Sequence, residues 1–206
     1  MKPIEECSFF NENWNTLKEL SKDDSNRANV IFMTESSLNA VDFDAVKRCY
    51  ANNIGLSEEC ACSLDALFLP PQKRLVFIEF KNGKLKGTYH ELGNKIRDSL
   101  LIFCDISACG ISETRKKAEF VLVYNIGKNQ RKKEEKVCVV KREETERDTE
   151  EDESPSLDAL MKEVAKLAKE EIVRFGLERF EGLYFRKVHT YSSEEFEKYL
   201  HTFHDC

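Results

Sequence analysis

A chain of 206 residues is long enough for one domain with a substantial core, and 41% hydrophobic content with 14 phenylalanines excludes a disordered polymer. No apolar run approaches the length of a bilayer span, and the opening MKPIEECSFFNENW has no signal-peptide core, so no membrane association and a cytoplasmic location are expected. The net charge of −6 argues against nucleic acid only until it is located: 142-REETERDTEEDE-153 sums to −6 by itself, leaving the rest of the chain neutral.

In chain order, Phe9–Leu20 reads as helical and 29-NVIFM-33 as a short strand. The stretch 41-VDFDAVKRCYANN-53 predicts a helix with Val41, Ala45, Val46, Cys49 and Tyr50 on one face, closing at Asn53 and Gly55. Two strand-like runs follow, 63-SLDALFL-69 and 74-RLVFIEFK-81, separated by 70-PPQK-73, where prolines cost no ladder donor. That pattern predicts a β-hairpin, and its apolar residues at both parities predict a sheet covered on both faces. A turn at 82-NGK-84 leads to 89-YHELGNKIRDSLLIFCDI-106, whose Leu92, Ile96, Leu100 and Phe103 form a helix stripe.

The run 119-EFVLVYNI-126 is a largely apolar strand. From about 128 to 153 the charge density predicts an exposed excursion with little fixed structure, around a short strand at 137-VCVV-140. A helix is expected over 157–175, with Leu160, Val164, Leu167 and Phe175 near one face and Gly176 as its stop. A last strand over 183–191 precedes a terminal helix opened by a capping box from Ser192 to Glu195. The order implies a single α/β domain spanning 1–206, a mixed sheet flanked by helices.

Several chemistries find no support. The eight cysteines contain no C-x-x-C, and Cys60, Cys62, Cys104 and Cys109 lack the spacing of structural zinc sites. His90, His189, His201 and His204 show no convergent ligand spacing and read as surface residues. Gly83 and Gly87 read as turn residues, and there is no nucleophile elbow, Walker loop or dinucleotide fingerprint.

One constellation does stand out. A hairpin centred near Gln72 places Asp65 opposite Glu79, and Lys81 lies two residues further on the same face. Two carboxylates forced together call for a divalent cation or a shared proton, and hard oxygens suit Mg²⁺ or Mn²⁺. A lysine beside them can position water and offset charge on a phosphoryl group. The surrounding segment 73–98 carries a net +4 despite the acidic whole, and Lys95 and Arg97 on its helix are candidates to contact phosphates. The plain alternatives are that Asp65 is a turn residue, Glu79 and Lys81 an exposed-edge ion pair, and Lys95 and Arg97 a solvated helix face.

Asp65, a thirteen-residue gap, then Glu79-Phe80-Lys81, a basic helix and another strand together resemble the PD-(D/E)XK nuclease superfamily over about residues 41–126. The text IEFKNGK, 95-KIRDSLLIFCDI-106 and 120-FVLVYN-125 is also similar to small bacterial members of that group. The resemblance implies a restriction-endonuclease-like fold and a divalent-metal-dependent nuclease that leaves 5′-phosphates, acting on DNA more readily than on RNA. It implies Mg²⁺ or Mn²⁺ held by Asp65, Glu79 and the Phe80 carbonyl, with Lys81 orienting the attacking water. Residue 64 is Leu where the motif's name has proline. The acid often supplied by the first helix stays open among Glu35, Asp42 and Asp44. The alternative is a catalytically silent nucleic-acid-binding or regulatory module of a phage-defence or mobile-element system. A homodimer would suit cleavage of both strands, though nothing in the sequence marks an interface.

Overall fold

The computed structural model describes residues 4–71, 74–129 and 173–203. All of them fall in one of the two units into which the chain divides, Met1–Asn129 with Val173–Cys206. The expected strand at 137–140 and nearly all of the expected helix over 157–175 lie outside the described residues. Val173, Arg174 and Phe175, the end of that predicted helix, are not helical, and Gly176 takes a left-handed φ of +69°.

Six strands form one mixed sheet in the order β1 (Trp14–Thr16), β4 (Asn39–Asp42), β5 (Ala66–Phe68), β6 (Leu75–Lys81), β7 (Ala118–Tyr124) and β8 (Lys187–Ser192). The pairs from β1 to β6 are antiparallel, whereas β6–β7 and β7–β8 are parallel. Two further strands, β2 (Lys22–Asp23) and β3 (Ile31–Phe32), make a separate antiparallel pair. The 19-residue helix α4 (Tyr89–Ser107) and the shorter α5 (Ile111–Lys117) carry the chain from β6 to β7, the long crossover a parallel pair requires.

The N-terminal part departs from the predicted helix over Phe9–Leu20. It breaks into α1 (Ser8–Asn11), β1 and α2 (Leu17–Leu20), because Trp14–Thr16 pairs with Asn39–Val41 and the Thr16 hydroxyl then caps α2 by accepting from Glu19 N–H. The helix predicted from Val41 starts two residues later, as α3 (Phe43–Asn53). Val41 belongs to β4 and Asp42 is the N-cap, its Oδ1 accepting from Ala45 N–H at 2.8 Å. The inward face of α3 is accordingly Phe43, Val46 and Ala51, and Cys49 is exposed. Among the short elements that went unpredicted are β2, α5 and α6 (Ile126–Asn129).

Both faces of the sheet are covered, as the apolar parities predict. Odd-numbered residues of β6, Leu75 and Phe77, enter a core shared with α3 and α4; even-numbered Val76 and Ile78 enter a second core under α7 (Ser193–His201). Phe77 centres the first, its ring 5.3–5.9 Å from those of Phe103, Phe43 and Phe185. The predicted stripe of α4 is all buried in this core. In the second core Phe80 meets Phe196 at 5.7 Å, and α7 opens with the expected reciprocal capping box between Ser192 and Glu195.

A buried ion cluster closes the far end of the sheet. Glu119, at the start of β7, is met by Arg186, by Arg74 and His189 Nε2 at 3.5 Å, and by the Tyr199 hydroxyl at 3.2 Å. Burial alone would raise the Glu119 carboxyl, but His189 and Arg186 outweigh it and hold it down at about 2. His189 is therefore a buried structural residue rather than the surface residue expected. Among the described residues no helix is long and apolar enough to cross a membrane.

Candidate functional site

The hairpin register decides what the site can be. Ala66 pairs with Ile78 and Leu67 with Phe77, the hairpin centre expected from spacing, and Asp65 lies just outside that ladder, near enough to Glu79 for one lysine to reach both. Backbone and side chain both hold Asp65 there. Its N–H donates to the Ile78 carbonyl at 3.1 Å, and its Oδ2 accepts from Phe80 N–H at 2.6 Å. Glu79 and Lys81 share the face of β6 that α4 covers, whereas Phe80 turns into the opposite core.

The Phe80 carbonyl can be placed from its neighbours. Ile78 accepts from β5's side through Asp65 N–H, and Lys81 accepts from Asn125 N–H at 3.2 Å, beyond β7. Peptide groups alternate along a strand, so the Phe80 carbonyl turns toward the β5 side, where Asp65 stands.

Helix α4 contributes what the motif did not. Lys95 reaches between the carboxylates, its Nζ 2.6 Å from Glu79 Oε1 and 3.6 Å from Asp65 Oδ1. It is thus a partner of the acid pair and not, as its basic helix suggested, a free phosphate contact. One turn earlier Glu91 pairs with Lys81 Nζ at 3.1 Å. Glu79, Lys81, Thr88, Glu91, Lys95 and Leu122 line a narrow recess. Arg97 is exposed elsewhere on the helix, bonded to Asn94.

Of the three acids left open, Glu35 pairs with Lys18 near the β2–β3 pair, and Asp42 is occupied as the cap of α3. Asp44 is the one close enough to matter: Ser63 donates to its Oδ1, and its charge bears on both Asp65 and Lys95. Cys60 and Cys62 are exposed, and Cys104 and Cys109 face a different groove, their sulfurs 3.8 Å apart.

The electrostatics follow from burial. Glu79 is 2% exposed, and desolvation, then the neighbouring Asp65 charge, push its carboxyl well above the ordinary range despite Lys95. Asp65 is pushed up to about 6, by burial first and Asp44 in addition, against the lowering pull of Lys95 and Phe80 N–H. Burial would lower the Lys95 ammonium, but Glu79 and Asp65 outweigh it and hold it above its usual value. These directions describe an acid pair that binds protons more readily than free carboxylates, with a charged lysine between them.

A hard divalent cation suits this donor set. Two carboxylates face one another across a strand pair, and Glu79 Oε2 is buried with no hydrogen-bond partner. Among the described residues no three His, Cys, Asp or Glu side chains gather closely enough to form a metal site by themselves, and Lys95 lies between the two acids.

A pH dependence follows. Because the folded state holds these protons more tightly than the unfolded chain, the pair's contribution to stability is largest below about pH 4 and declines as pH rises toward 6. For Asp65 the move from 3.8 to about 6 corresponds to roughly 3 kcal/mol across that window. Denaturant unfolding between pH 7 and 5 is expected to show wild type gaining stability relative to Asp65→Asn. Parallel curves would mean that Asp65 titrates normally. The window stays above the range in which protonating Glu119 would cost stability.

No protein-family model, curated protein or solved structure matches the chain.

Proposed function

We propose that this protein is a divalent-metal-dependent nuclease of the PD-(D/E)XK type, hydrolysing phosphodiester bonds in DNA more readily than in RNA. The observation that supports the reading is the convergence of Asp65, at the end of the hairpin ladder, with Glu79 on one lysine, with Lys81 two residues on and one oxygen of the buried Glu79 without a hydrogen-bond partner. Asp65, Glu79 and the Phe80 carbonyl would hold Mg²⁺ or Mn²⁺, which when bound supplies Lewis-acid polarisation of the phosphate and a more acidic water. Lys81, released from Glu91, would orient the attacking water and offset phosphoryl charge. Lys95 holds the acid pair together and reduces its net charge. Any proton that the acid pair holds must leave as the cation enters.

The test is cleavage of single-stranded, duplex and branched DNA and of RNA, with Mg²⁺ or Mn²⁺ and with EDTA. Cleavage by wild type that disappears with EDTA and in Glu79→Gln is the expected result. No cleavage of any substrate, with unchanged thermal stability on adding metal, would sink the reading.

One observation favours a second reading. The Lys95 ammonium already occupies the space between the carboxylates, so the site could be a retained scaffold in a silent nucleic-acid-binding or regulatory module. Nucleic-acid binding that persists in EDTA, without turnover under any metal, would favour it.

A further inference from the structure

A second cationic feature lies on α4, away from the acids. Gly93 sits inside this helix, where glycine is the poorest helix former after proline, and it is buried. Its cover is two guanidinium groups. A Cβ at this position would meet Arg97 Nη1 at 3.4 Å, Arg97 Nη2 at 3.7 Å and Arg179 Nη2 at 3.7 Å. The missing side chain leaves room for two like charges to converge on one spot.

Each guanidinium is oriented without being neutralised. Arg97 Nη2 donates to Asn94 Oδ1 at 2.7 Å, and Arg179, on the 3₁₀ turn Glu178–Phe180, lies over the rings of Tyr89 at 4.0 Å and Phe180 at 4.8 Å. Among the described residues neither makes a salt bridge, and both are exposed. Two exposed guanidinium groups brought together with no described acid between them suit an oxyanion, phosphate above all.

From this we infer that Arg97 and Arg179, converging over Gly93, form a phosphate-binding clamp separate from the acid site. Arg97 follows Lys95 by two residues, roughly 200° around the helix, so the clamp does not face the scissile phosphate. Its ligand is a non-scissile backbone phosphate of nucleic acid. The identity of that ligand rests on the nuclease reading; the anion site itself does not.

The experiment has two arms on the full chain. Fluorescence anisotropy in EDTA measures binding of a labelled DNA duplex across a salt series, for wild type, Arg97→Ala/Arg179→Ala and Gly93→Glu. Thermal unfolding measures stabilisation by inorganic phosphate for the same proteins. The Gly93→Glu variant puts a carboxylate among intact arginines, and its thermal unfolding without ligand separates loss of binding from loss of fold.

Both variants are expected to bind duplex about tenfold more weakly, with a salt slope lower by about 1. Wild-type DNA binding with no change in affinity or slope in the variants overturns the clamp and leaves the nuclease reading intact. No DNA binding by wild type, with phosphate stabilising wild type alone, upholds the anion site and overturns its nucleic-acid assignment. Neither DNA binding nor phosphate stabilisation in wild type overturns both.

Discussion

Alanine in place of Lys81 is expected to lower metal-dependent cleavage by about 10²- to 10³-fold while leaving metal binding in place. The split follows from where the lysine is tied down. Its ammonium contacts Glu91, an exposed residue, and takes no part in the short Lys95–Glu79 bond that holds the acid pair. Surface ion pairs of this kind contribute about 0.2–1 kcal/mol, so the variant should fold almost as well as wild type. Single-turnover cleavage rates read beside the melting shift produced by Mg²⁺ separate the two effects. Wild-type cleavage in Lys81→Ala would reduce the residue to a surface partner of Glu91 and remove the hydrolytic role assigned to it.

Lys95→Ala should behave in the opposite way. Removing the ammonium leaves Asp65 and the buried Glu79 facing one another without a cation, and breaking such a pair costs on the order of 3 kcal/mol. Uptake of a proton by Glu79 limits the loss, and Mg²⁺ should restore much of it, because nothing then competes for the carboxylates. Urea unfolding in EDTA and in excess Mg²⁺ is expected to show a larger metal-dependent gain in Lys95→Ala than in wild type. A variant equally unstable in both conditions would show that the acids do not accept a divalent ion, and the binding-module reading would gain accordingly.

The hairpin register was legible because it depends only on counting: 65 and 79 are equidistant from 72, and side-chain direction alternates by two. The α4 stripe and the Ser192 capping box were legible for the same local reason. What spacing could not supply was direction around α4. Glu91 and Lys95 sit four apart on one helical face, a visible pair, but only packing against β6 shows that this face looks into the acids. Arg97 was grouped with Lys95 by charge, and the helix turns them apart. The break of the first helix was hidden because Trp14–Thr16 becomes a strand only by pairing with residues about 25 positions away. His189 misled for the complementary reason: its acidic partner, Glu119, is 70 residues earlier in the chain.

Strand β6 is clasped along its whole length by β7, from Leu75 beside Ala118 to Lys81 beside Tyr124, and Leu122 walls the acid recess. Every acid and lysine named in the acid site lies before β7, but its Leu122 wall comes only with β7. During synthesis from the N-terminus, a chain halted after α4 would carry every acid and lysine of the site and still present them on an uncovered strand edge. The recess is therefore complete only once β7 has been made and has paired along β6.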